Sequence, residues 1–336
     1  MAKIKSAFLI LFLFGISVTA YCQSVDSVVF KNALVLKLGR SGDNKVISPD
    51  AVVSSIVTGK WKAPEENEEV KSNDKLIGTW KSLASDDNGW FRNDSLVNAY
   101  LYFQYKSDKD QIVLLEAMGN TVAYVNGLTH SGNLYRYQDS FSPWEPRFDY
   151  SLIPVKLHKG VNEFVVDCRR GYLKVKLQTN RTGLIFDVMD LTAPDILLNQ
   201  PSDTHGAVAV INATENNYSN LQIKTWIEGA EPVYRNVNTV YSLSIFKTAF
   251  DIKIPAQQNT GKIKLNIQLV TKENDKEEVL STSSIDLNVL TANDTHKETF
   301  ISKIDGSVQY YAVNPPENLK EKPALFLSLH GAGVEA

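Results

Sequence analysis

The chain has 336 residues, 43% of them hydrophobic and 22% charged, with a formal net charge of −3. That length allows two or three domains of ~100–150 residues, each with a core of its own. The slightly acidic balance supplies no basic patch for a duplex, which excludes nucleic acid as the expected partner.

The first residues read as an address. Lys3 and Lys5 precede the apolar run from Ala7 to Val18. This run suits the ~7–15 residues of a signal-peptide core and falls short of the ~20 needed to span a membrane. Ala20 and Cys22 in "TAYCQS" give the small-residue pattern of a cleavage site. A signal peptide over 1–22 is expected, and with it export to the periplasm or the medium. The rival is a lipoprotein acylated at Cys22, against which Tyr21 stands, because lipid attachment takes a small residue before the cysteine. Once Cys22 leaves, Cys168 has no partner for an internal disulfide. In "NEFVVDC" it reads as a small apolar strand residue rather than a reactive thiol.

Residues 23–75 form a mixed N-terminal segment. "SPDAVVSSIVTGKW" predicts a short helix. Ser48 or Asp50 caps it, Pro49 fits its first turn, Val52, Val53, Ile56 and Val57 share one face, and Gly59 ends it. "APEENEEVKSND" reads as a solvated loop. Carboxylates without ordered spacing do not define a coordination shell, so no metal is expected, and no cofactor either.

From Leu76 the strand signals are dense: "VNAYLYFQYKS", "QIVLLEAMGN", "TVAYVNG" with its Asn126-Gly127 turn, "LIPVKLHKGVNEFVVDC" and "GYLKVKLQ". Short strands with turns every ~8–12 residues predict an antiparallel sandwich. The run "MGNTVAYVNGLTHSGNLY", with "LIPVKLHKGVNEFVV" and "RGYLKVKL" after it, resembles the galactose-binding-like jelly rolls of secreted bacterial enzymes. The resemblance implies a jelly roll over 76–190, a fold that binds sugar in some members and only braces a neighbour in others. A carbohydrate platform would then comprise Trp80, Trp90, Phe91, Tyr135, Tyr137 and Trp144, with Asp139, Glu145 and Arg147 beside Trp144. Sugars stack their C–H faces on exposed aromatic rings. The competing reading makes these aromatics packing residues.

"LTAPDILLNQPSD", punctuated by Pro194 and Pro201, reads as a linker. Over 191–292, short alternating strands such as "LQIKTWIEG" and "GKIKLNIQLVTK" predict an immunoglobulin-like sandwich with Trp226 in its core. The triplet Asn212-Ala213-Thr214 matters only in a glycosylating host. His130, His158, His205 and His296 are expected in loops or at the surface.

From 293 the texture changes. "FISKIDGSVQYYAV" predicts a hairpin about Asp305-Gly306, and the apolar run from Ala324 to Leu329 predicts a strand buried on both faces. With "HGAG" after it, this stretch resembles the opening of an α/β-hydrolase domain of the prolyl-oligopeptidase and esterase kind. There a strand leads into a His-Gly-X-Gly loop. The resemblance implies an oxyanion-hole loop at His330, Gly331, Ala332 and Gly333, with Gly331–Ala332 backbone N–H groups as donors and His330 orienting the loop. No Gly-X-Ser-X-Gly elbow occurs, so the nucleophile and its partners are expected beyond Ala336.

The expectation is therefore a mainly β chain: a jelly roll, an immunoglobulin-like sandwich, and the first strands of a truncated α/β-hydrolase domain over 293–336. Functionally it is read as the front of an exported serine hydrolase acting on a peptide, ester or glycan-linked substrate. The alternative is a non-catalytic carbohydrate-binding or scaffold module of a secreted glycan-processing protein.

Overall fold

The computed structural model describes residues 26–38, 50–72, 75–134, 151–179, 181, 183–273, 276–316 and 325–328. The fold is mainly β, in two sandwiches. The first is built from β1 (Ser27–Val29), β2 (Asn32–Lys37), the helix α1 (Ala51–Val57), β3 (Glu69–Ser72), β4 (Lys75–Ala84), β5 (Phe91–Arg92), β6 (Ala99–Ser107), β7 (Gln111–Met118), β8 (Asn120–Val125), β9 (Leu128–Ser131), β10 (Leu152–Leu157), β11 (Gly160–Cys168) and β12 (Tyr172–Gln178). One sheet runs β3-β4-β2-β6-β11-β8-β9; the other runs β1-β12-β7-β10, with β5 also paired to β12. Within residues 23–75, β1, β2 and β3 are paired into these sheets.

Alternation places Leu101, Phe103, Phe164 and Val166 between the two sheets, where they meet Val113, Leu115, Leu173 and Val175. Yet Tyr100 and Tyr102, on the opposite face of β6, are buried too. The reason is α1, which lies over that outer face and forms a second small core of Val52, Ile56, Trp80, Tyr100, Tyr102 and Tyr124. The helix forms where the sequence predicts it. Asp50 Oδ1 accepts from the N–H groups of Val52 (3.0 Å) and Val53 (3.1 Å), and Gly59 leaves the helix at φ 68°.

The second sandwich comprises β13 (Gly183–Thr192), β14 (Ile196–Leu197), β15 (Ser202–Ala213), β16 (Leu221–Trp226), β17 (Val233–Val237), β18 (Ile245–Ile254), β19 (Gly261–Glu273) and β20 (Lys276–Leu290). Its sheets are β13-β15-β18 and β14-β20-β19-β16-β17, closed over Val208, Val210, Ile223, Phe250, Leu265 and Ile267. Strand β13 pairs with β15 from Gly183 onward. The two units meet along an apolar seam of Leu114, Leu152, Ile211 and Ala213, with Ile112 and Ile185 at its margin.

A hairpin follows, β21 (His296–Ile301) and β22 (Val308–Val313), as the Asp305-Gly306 signal predicts. Thr299 Oγ1 donates to the His205 carbonyl at 2.6 Å and pins the hairpin to β15. The expected buried strand after it is corrected. Leu325, Phe326 and Leu327 form no strand and are 85%, 89% and 85% exposed. No sheet edge among the described residues pairs with them, and a lone strand has nowhere to place its backbone hydrogen bonds. No α/β layering occurs among the described residues. The expected signal peptide (1–22) and oxyanion loop (His330, Gly331, Ala332 and Gly333) lie outside them, as do Ser48 and Pro49. No helix among the described residues is long and apolar enough to cross a membrane.

Candidate functional site

Three aromatics of the expected sugar platform are interior residues. Trp80 is 2% exposed and covered edge-on by Trp61, with ring centroids 6.4 Å apart. Trp90 is 4% exposed beneath Tyr172, Arg92 and Lys174. Phe91 is fully buried between the sheets. None presents a ring face to solvent, because apolar area of this size is stabilised more by burial than by exposure. Tyr135, Tyr137 and Trp144, with Asp139, Glu145 and Arg147, lie outside the described residues.

Other expectations shift as well. Trp226 is not in the core. β16 turns Leu221, Ile223 and Thr225 inward and leaves Trp226 half-buried on the outer face, with Lys224 Nζ 5.7 Å from its ring centre. His296 is buried rather than superficial, its Nδ1 2.8 Å from the Asp294 carbonyl oxygen. His158 is exposed, and His205 is half-exposed beside Asp251 at 2.9 Å. Cys168 is buried; its thiol donates to the Tyr172 carbonyl (3.3 Å), and burial pushes its pKa up to about 11.

The structure instead builds a cleft that no sequence motif marks. Pairing of β6, β11 and β8 sets Tyr100, Asp167 and Val122 in one row across the outer face of the seven-stranded sheet, and Tyr124 stands nearby on β8. Helix α1 lies beside this row with Val53, Ser54, Val57 and, just past its end, Thr58. Asp50 and Arg169 complete a cleft of about 530 Å³. That volume falls within the ~300–1,000 Å³ common for small-molecule sites.

Its polar groups are held in place. Asp50 uses Oδ1 to cap α1 and Oδ2 to accept from the Tyr100 hydroxyl at 2.8 Å. Asp167 Oδ2 accepts from Thr121 Oγ1 (2.7 Å), Arg169 Nε (2.9 Å) and Arg169 Nη2 (2.7 Å). Tyr124 is 6% exposed, and among the described residues its hydroxyl has no hydrogen-bond partner. Burial, then the charges of Asp50 and Asp167, drive the Tyr100 phenol far above its usual range. Burial followed by the same two carboxylates also raises Tyr124.

The lining offers acceptors at Asp50 and Asp167, donors at Tyr124 and Arg169, and apolar walls at Val53, Val57 and Val122. Hydrogen-bonding groups beside apolar walls suit a polar ligand with an apolar flank. Farther along the same face, Glu163 accepts from Trp61 Nε1 (3.0 Å) and the Tyr102 hydroxyl (2.8 Å), which ties the segment after α1 to the sheet. Among the described residues no group of three or more His, Cys, Asp or Glu side chains could hold a metal.

No protein-family profile matches the chain, and no curated protein matches it by sequence. Solved structures similar to it include β-glucuronidase 2 of Bacteroides uniformis, at 8% identity and a TM-score of 0.40, covering 88% of this chain and 35% of that one. A glycosyl hydrolase family 2 member from Bacteroides cellulosilyticus matches at 11% identity and a TM-score of 0.32, covering 84% and 38%. The β-glucuronidase of Parabacteroides merdae matches at 12% identity and a TM-score of 0.34, covering 82% and 36%. The chain thus spans little more than a third of these structures. The serine-hydrolase expectation is corrected here. Its opening strand does not form over the described residues 325–328, where Leu325, Phe326 and Leu327 are exposed coil, and peptide and ester substrates lose the support of that reading.

Proposed function

We propose that this chain is a non-catalytic accessory region of an exported glycan-processing protein, and that its first sandwich holds carbohydrate in the cleft beside α1. In this reading the first sandwich is a galactose-binding-like jelly roll and the second an immunoglobulin-like domain. The observation that carries the reading is the cleft itself. It combines apolar walls for the C–H surface of a sugar with fixed acceptors and a free, nine-tenths buried phenol for its hydroxyls. Its volume suits one or two sugar rings. Glycan-array screening of the full chain, followed by calorimetric titration of the hits, tests it. Saturable binding is expected, and an array without any hit overturns the proposal.

The seam favours a second reading, in which the sandwiches brace a neighbouring domain. Leu114, Ile211 and Ala213 are fully or almost fully buried where the two units meet, which is the construction of a rigid support.

A further inference from the structure

Resting on the reading of the cleft as a carbohydrate site, we infer that it selects neutral and amino sugars and rejects uronic and other acidic sugars. Three charged residues line it: Asp50, Asp167 and Arg169. Their fixed charge is one negative unit. Burial first, then the two carboxylates, raises both phenols in the cleft, and Arg169 opposes the carboxylates only at Tyr100.

One of the two edges by which Arg169 could clamp a ligand carboxylate is already taken. That clamp is bidentate and uses two parallel N–H groups. Here Nε and Nη2 are both given to Asp167, and Nη1 points to Asn98 Oδ1 at 3.5 Å. A uronate could take only the remaining Nη1–Nη2 edge, in competition with Asn98 and from a guanidinium whose charge Asp167 already offsets. A ligand carboxylate placed elsewhere in the cleft would face Asp50 and Asp167 directly.

A sugar hydroxyl or ammonium meets the opposite situation. Asp50 Oδ2 already has one donor and retains lone-pair capacity for another. Among the described residues no donor reaches Asp167 Oδ1. Each carboxylate can therefore accept from the ligand, and an ammonium would make the stronger, charge-assisted bond. The Tyr124 hydroxyl is left to donate to a ring or hydroxyl oxygen. Val53, Val57 and Val122 cover the apolar flank.

Titration of the full chain with three probes tests this: a neutral galacto- or gluco-oligosaccharide, a chitosan oligosaccharide of equal length, and an oligogalacturonate. The first two should bind, with the oligogalacturonate at least about tenfold weaker, the scale of one lost hydrogen bond to a charged group. Raising salt should weaken only the chitosan oligosaccharide. Val57→Arg, at a position 72% exposed, should fold normally, fill the cleft and abolish binding of the amino sugar. Tyr124→Phe should weaken every probe that binds while the circular dichroism stays unchanged. Oligogalacturonate binding as tight as the neutral probe overturns the selectivity and leaves the carbohydrate reading standing. Failure of all three probes counts against that reading itself. Sugar binding untouched by both variants removes the cleft as its site.

Discussion

The Tyr100 hydroxyl donates to Asp50 Oδ2 at 2.8 Å while the other oxygen of the same carboxylate caps α1. One side chain therefore starts the helix and bolts it to the sheet, across a sequence separation of 50 residues. Tyr100→Phe should remove the bolt and keep the ring. The expected cost is ~0.5–1.5 kcal/mol, the range for one hydrogen bond whose half-buried acceptor water can still reach. Thermal unfolding would read the loss, and faster amide exchange confined to residues 51–57 would place it.

Alkaline titration gives a second outcome. Tyr100 and Tyr102 both hold their protons well above the ordinary phenol range, chiefly through burial. Their folded pKa values exceed the unfolded value of ~10, so the native state retains protons that the unfolded chain releases. This contribution to stability is complete below pH ~10 and is lost as pH rises above it. Tyrosinate absorbance should show some of the 14 tyrosines ionising only when the fold gives way. Full ionisation of all of them with native circular dichroism retained would contradict this.

The Cys168 thiol should be inert in the folded chain. Burial raises its pKa to about 11, and its hydrogen goes to the Tyr172 carbonyl. At pH 8 almost none of it is thiolate, the reactive form. Iodoacetamide should leave the peptide containing Cys168 unmodified in native protein and alkylate it fully in denaturant, as read by mass spectrometry.

At the seam, Ile211→Ala should cost ~2–5 kcal/mol, the usual penalty for truncating a fully buried isoleucine. Ile211 packs with Leu114 and Leu152 of the first sandwich, so the loss falls on the coupling between units. Calorimetry should resolve one transition in the unmodified chain and two in the variant.

Much of the fold was legible because burial follows local periodicity. Inward Leu221, Ile223 and Thr225 on β16 and the Asp50 cap of α1 are set by residues close in sequence. What sequence could not supply was which face of a strand another element covers. Trp80 and Trp90 read equally well as platform or packing residues, and only the position of Trp61 and Tyr172 decides for packing. Trp226 failed in the opposite direction: its size suggests a core residue, but the parity of β16 turns it outward. The run Leu325–Leu327 shows that an apolar stretch becomes a strand only where a neighbouring edge accepts it. The cleft was illegible for a further reason. Asp50, Tyr100, Tyr124 and Asp167 sit on four separate elements, and only the register of β6, β11 and β8 brings them together. The one local hint was Tyr100 and Tyr102 two apart on β6, a polar-tipped pair on the face that alternation assigns to solvent.

The apolar seam has a mechanical consequence. Side chains of both sandwiches interlock there, so bending at the junction would open a gap that water must wet. Opening the junction therefore carries a cost that a plain linker between the two units would not.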